Sequence, residues 1–181
     1  MANGNYIHIH TQYNKIERLL HMIEYNKEIA QAIDTVFSES DWQRRYYFSQ
    51  EIGAFDFEIK FPGKMKSMRA MIAVGGDSYL TLFDYPFGGD TADREMMNRL
   101  SEFLVRVNYG LEVGTFHMNW EDGVVSFRLL TSCNENLPTQ EIVEDSIFSP
   151  LEACERCAEG LIAIIFQGLD VEEALNLYQE A

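Results

Sequence analysis

Several groups of residues in this chain have the types and spacing that chemistry needs. Cys154-Glu155-Arg156-Cys157 has the C-x-x-C spacing of half a zinc site or of a redox pair. No second C-x-x-C completes it, and Cys133 has no adjacent ligand pattern. On a helix turning about 100° per residue, Cys154 falls within an apolar stripe and Cys157 on its flank, which predicts packing thiols. His8 and His10 would point to one side of a strand, but two ligands do not make a metal site, so solvent-facing edge histidines are expected. His21 and His117 have no local serine or cysteine arrangement that would form a triad. Catalytic, metal and cofactor sites are therefore expected to be absent.

Gly75-Gly76-Asp77-Ser78 and Gly88-Gly89-Asp90-Thr91 resemble phosphate loops only superficially. Neither carries G-x-x-x-x-G-K-[ST] or G-x-G-x-x-G, and Asp90 and Asp93 would compete with an anion at the following helix. Asp56 with Glu58 and Glu121 with Asp122 are paired carboxylates without a base partner or EF-hand spacing. Arg44-Arg45-Tyr46-Tyr47 is the one basic-aromatic cluster. The methionines remain: most are expected to fill the core, but adaptable thioether side chains also suit peptide-binding surfaces, and Met65, Met68, Met71, Met96, Met97 and Met118 are the candidates for a partner patch.

Charge restricts the partners. The 181 residues carry 14 basic and 29 acidic side chains, a net of −15 that disfavours nucleic acid and anionic membrane surfaces. The imbalance is concentrated: residues 91–181 hold 5 basic and 17 acidic side chains. A solvated acidic face that keeps the chain soluble is the expected role, the alternative being a surface that repels acidic partners and steers a basic one. At 46% hydrophobic and 24% charged the composition is that of a globular domain, and a chain this long buries roughly 70% of its unfolded surface without disulfide or metal. The N-terminus lacks the basic start and apolar run of a signal peptide, and no stretch is long enough to span a bilayer, so a cytoplasmic location is expected.

The elements that would position these residues follow from periodicity. Tyr13 to Phe37 reads as helix, with a phase shift across Glu24–Glu28 that predicts a break. Phe55, Phe57, Ile59 and Phe61 alternate with Asp56, Glu58 and Lys60, the pattern of a half-buried strand. Pro62-Gly63 predicts a turn, Met68–Val74 a second strand, Gly75-Gly76-Asp77 a hairpin and Tyr79–Tyr85 a third strand. A helix capped by Asp90 follows, ending at Asn108-Tyr109-Gly110 with glycine in the left-handed conformation. Leu111–Asn119 and Val124–Thr131 form a second hairpin around Asp122-Gly123. Pro138 reopens helical periodicity, Ser149-Pro150-Leu151-Glu152 starts a helix running to Gly168, and Asp170 caps a short last one.

The segment from Val107-Asn108-Tyr109-Gly110 through Thr115-Phe116-His117-Met118 and Glu121-Asp122-Gly123 to Ser126-Phe127-Arg128 resembles the YbjN-type domain. An asparagine ends the central helix, an alternating strand and an acidic-Gly turn follow, and a basic residue stands after an aromatic one. That family is labelled a bacterial sensory transduction regulator, and its fold is similar to that of type III secretion chaperones. The resemblance covers residues 42–167 and carries no catalytic residues. It implies a non-enzymatic, protein-binding or regulatory module, often dimeric.

One α+β domain over 1–181 is therefore expected, a twisted antiparallel sheet packed by helices in the order α-βββ-α-ββ-α, type III secretion chaperone-like. It comprises a helical segment over 12–40, the core over 42–167 and a short helix over 170–180. The expected function is docking of a partner protein segment, as a homodimer. The alternative is a small-molecule sensor or weak enzyme with a pocket between the sheet and the central helix.

Overall fold

The computed structural model describes residues 24–39, 46–61, 65–134 and 136–181. The expected helical stretch 13–23, the histidines at 8, 10 and 21, Arg44, Arg45 and the Pro62-Gly63 turn lie outside the described residues. Helix α1 spans Lys27–Glu39, where Ile29, Ile33 and Phe37 recur every fourth residue and are buried. Its start is fixed by Asn26, whose Oδ1 accepts from the backbone N–H groups of Glu28 at 2.9 Å and Ile29 at 3.3 Å. The cap falls within the expected phase shift at Glu24–Glu28.

Six strands form one sheet: β1 Tyr46–Ser49, β2 Ala54–Lys60, β3 Ser67–Val74, β4 Ser78–Gly88, β5 Thr115–Met118 and β6 Val124–Ser132. Their order is β1-β2-β3-β4-β6-β5 and every pairing is antiparallel. The expected three-strand meander is thus a four-strand one, preceded by β1. Alternation assigns the faces as expected. Phe55, Phe57 and Ile59 stand opposite Ile72, Ala70 and Met68 on the helix-covered face, while Asp56 and Glu58 stand opposite Met71 and Arg69 on the second face.

Helix α2, Arg94–Tyr109, is capped by Asp93 and not by Asp90. Asp93 Oδ1 accepts from Met96 N at 3.0 Å, whereas Asp90 Oδ1 closes the preceding turn on Ala92 N at 2.9 Å. Gly110 ends it at φ −95°, since its N–H bonds back to Val107 without needing the left-handed conformation. Strand β5 is far shorter than the expected Leu111–Asn119. Gly114 turns the chain at φ +68°, where a Cβ would meet the Phe127 ring, so pairing begins only at Thr115.

Helix α3, Gln140–Phe148, fills the region where Pro138 signalled renewed periodicity. Ser149 ends this helix instead of capping the next one. Its backbone stays helical at φ −61° and ψ −32°, and its N–H and hydroxyl both donate to the Asp145 carbonyl. An N-cap serine needs an extended backbone, which is never reached here. Helix α4 runs Leu151–Gln167 and stops at Gly168 in the left-handed conformation, φ +71°. Helix α5, Val171–Glu180, opens with the expected reciprocal cap between Asp170 and Glu173.

The main core lies between the sheet and the helices. Phe37 stacks on Phe55 at 5.6 Å, Phe83, Phe116 and Phe127 cluster beneath α2, and the Tyr85 hydroxyl donates to the Cys154 carbonyl at 2.7 Å. A smaller apolar cluster of Ala54, Met71, Ala73 and Leu82 lies on the second face. The chain is thus an α+β domain with a twisted, open antiparallel sheet packed against helices. Among the described residues no helix is long and apolar enough to cross a membrane.

Candidate functional site

Strand lengths create the first candidate. β6 has nine residues, but β5 pairs only with Val125 to Arg128. Leu129, Leu130, Thr131 and Ser132 pair with β4 on their inner side and have no strand on their outer side among the described residues. Alternate residues of a strand direct both N–H and C=O to the same side, so this stretch presents main-chain groups outward to which no described strand is paired. Leu130 is 66% exposed on the second face at this edge. The outer edge of β5 itself is partly closed: Asn108 bonds both main-chain groups of Phe116.

A cleft of about 470 Å³ is the second candidate. It lies where the end of β4, the approach to α2, the β5–β6 turn and the end of α4 meet. Phe87, Met96 and Phe166 supply apolar walls, and Asp90, Thr91 and Asp122 supply polar groups. This is the junction of sheet and central helix at which a pocket was the alternative expectation, although His117 takes no part in it.

A polar row crosses the second face. Glu58, Arg69, Asp84, Ser126 and His117 stand opposite one another through successive pairings of β2, β3, β4, β6 and β5. Arg69 Nε donates to Asp56 Oδ1 at 2.8 Å. Burial raises the Asp84 carboxyl to about 6, against the opposing effect of the Arg69 and Arg128 charges. His117 is lowered from its ordinary value by burial and then by Arg128. Among the described residues the buried Ser126 hydroxyl has no hydrogen-bond partner, and His117 Nε2 instead pairs with Thr115 Oγ1 at 2.7 Å. Serine, histidine and aspartate thus share one row without the hydrogen bonds that would make them a relay.

Most of the described methionines fill the core, as expected, and this removes three of the candidates for a partner patch. Met68 and Met97 lie in the main core and Met71 in the second-face cluster, each at most 2% exposed, so these three present no surface to a partner. Their flexible thioethers suit the filling of irregular gaps in a core. Met65 is buried as well, while Met96 and Met118 are half-buried and pack on the margin of the core. Cys154 and Cys157 are fully buried, and burial pushes both thiols above the ordinary value. Among the described residues no group of three or more His, Cys, Asp and Glu side chains could hold a metal ion. Gly75-Gly76 serves the β3–β4 hairpin. Gly88-Gly89 packs against the Gly123 turn, where Gly89 N–H donates to Gly123 O at 2.9 Å.

Comparison with known proteins gives no matching family model, no matching curated protein and no matching solved structure. The site is therefore argued from its own geometry. Sequence reasoning missed the β6 edge, whose signal was Gly114: a glycine inside an apparent strand pattern marks a break or bulge and shortens the pairing.

Proposed function

We propose that this chain is a binding module that takes an extended segment of a partner protein as an added strand along the outer edge of β6. The observation that carries the reading is the mismatch between β5 and β6, which leaves Leu129–Ser132 with a strand on one side only among the described residues. Strand addition draws affinity from main-chain hydrogen bonds and specificity from alternate side chains. The excess of 17 acidic over 5 basic side chains in residues 91–181 favours a basic segment. The relation to YbjN-type domains and to the secretion-chaperone fold belongs to the same proposal. The element order supports it, with β1 and α3 added to the expected α-βββ-α-ββ-α and its short C-terminal helix. So does Asn108 at the end of the central helix.

The test uses a displayed library of unstructured ten-residue peptides, followed by hydrogen exchange on the chain with a selected peptide bound. Protection concentrated at residues 129–132, with affinity lost at least about tenfold in Leu130→Lys, supports the reading, because a charged edge side chain blocks strand addition. Peptides that protect another surface, or that bind Leu130→Lys equally well, overturn it. Light scattering on the same samples reads the expected homodimer, which a monomer at all concentrations would remove from the proposal.

A further inference from the structure

The cleft between β4, α2 and α4 has a chemical character that the strand edge does not share. None of the described residues that line it is basic. Asp90 and Asp122 each spend one carboxylate oxygen on a backbone N–H, of Ala92 at 2.9 Å and of Val124 at 3.0 Å. Each has a second oxygen to offer. The last turn of α4 lines the cleft through Ile165 and Phe166, and its negative end is already met by Arg99, whose guanidinium donates to Gly168 O at 3.1 Å. The opposing positive end of α2 is already satisfied, because the Asp93 side chain accepts from Met96 N. Two carboxylates therefore face the cleft with no cation among the described residues that line it.

The walls are aromatic and soft. Phe87 and Phe166 meet edge to face at 5.7 Å, Met96 lies beside them, and Phe166 is 65% exposed although it stands over a cavity. Aromatic faces attract organic cations, most strongly where water is partly excluded. A volume of about 470 Å³ lies within the range of small-molecule sites.

We propose that this cleft binds a small organic cation, an alkyl or arylalkyl ammonium, with its apolar body against Phe87, Met96 and Phe166 and its charged end between Asp90 and Asp122. The cleft opens near Val124, at the opposite end of β6 from Leu129–Ser132, so this site is independent of the strand edge.

Calorimetric titration with 2-phenylethylammonium at low ionic strength, beside its neutral analogue 2-phenylethanol, tests the assignment. Saturable one-to-one binding of the ammonium is expected, about fivefold to tenfold tighter than the alcohol, and weaker as salt rises. Asp122→Asn keeps an oxygen for Val124 N–H and so keeps the turn, yet it should weaken binding several-fold. Phe166→Ala removes an exposed ring and should do the same, with circular dichroism confirming both folds. Absence of saturable binding overturns the proposal, as does equal binding of the alcohol or unchanged affinity in both variants.

Discussion

Asn108, in the last turn of α2, hydrogen-bonds both main-chain groups of Phe116 in β5: its Nδ2 donates to Phe116 O at 2.9 Å and its Oδ1 accepts from Phe116 N at 2.7 Å. The asparagine side chain thus behaves as one residue of a missing strand. Because N–H and C=O of one strand residue point to the same side, the Phe116 groups taken by Asn108 face away from β6. This bolts the edge strand to the central helix and closes part of its outer edge. Among the described residues the strand edge without a partner is that of β6 beyond Arg128, the edge at which strand addition is proposed.

Asn108→Ala should cost about 1–3 kcal/mol, since two half-buried main-chain groups lose their partners at once. For a chain of 181 residues that is a fall of about 3–10 °C in Tm. Hydrogen exchange should accelerate at β5 before any other strand. A Tm within 1–2 °C of the parent, read by thermal denaturation, would show that water replaces the side chain without loss.

Gly160 sits where α4 crosses α2. A Cβ there would lie 2.5 Å from Phe103 Cε2, closer still to Cζ, and 3.1 Å from the Ala174 carbonyl oxygen. Alanine gains about 1 kcal/mol of helix propensity over glycine. The overlap with a fully buried ring costs more, because neither α2 nor α5 can retreat without opening the core. Gly160→Ala should therefore destabilise by about 1–3 kcal/mol net in urea denaturation. Gly76→Ala, with nothing within 4 Å of the added Cβ, should stay near neutral.

Elements whose information is local were legible in the residues. Phe55, Phe57 and Ile59 announced β2 by alternation, and Asp170 with Glu173 announced α5 by a reciprocal cap spanning four positions. Choices between neighbouring candidates were less so. Asp90 and Asp93 are equally good caps by type, and only the path of the preceding turn decides between them. Ser149-Pro150 reads as a helix start, but α3 reaches Ser149 and captures its hydroxyl first. β1 has four residues, too few for alternation to register. The candidate sites were the least legible of all. The β6 edge depends on the difference between two strand lengths, and the cleft on four segments distant in sequence. Met68 and Met97 show the converse, since a residue type suited to binding surfaces serves equally well in a core.

The thiols at 133, 154 and 157 should be inert in the native state. All three are buried, and burial raises each above the ordinary thiol value, leaving little thiolate at pH 8. Ellman's reagent should label none of them within minutes in buffer and all three in denaturant. Prompt native labelling of Cys154 or Cys157 would mean that α4 opens readily from the sheet, and would return the C-x-x-C pair to consideration as a reactive site.

Asp84 makes the stability depend on pH in the direction opposite to a salt-bridged carboxylate. Its folded-state value of about 6 lies above the ordinary 3.8, chiefly through burial, with Asp56 and Asp122 adding and Arg69 and Arg128 opposing. Between roughly pH 4 and 6 the folded chain therefore binds a proton that the unfolded chain has released. The contribution of this group is most favourable below that window, falls as pH rises through it, and stays at its minimum above pH 6. The shift corresponds to about 1–3 kcal/mol. Asp84→Asn cannot ionise, so its stability relative to the parent should grow by that amount between pH 4 and pH 7, whatever other groups do to both proteins. Urea midpoints at pH 4.5, 6 and 7.5 read this difference. A parent-to-variant difference that stays constant across the three would show that Arg69 and Arg128 hold the carboxylate ionised in the folded chain, and the polar row would then be an ion-pair network and not a buried acid.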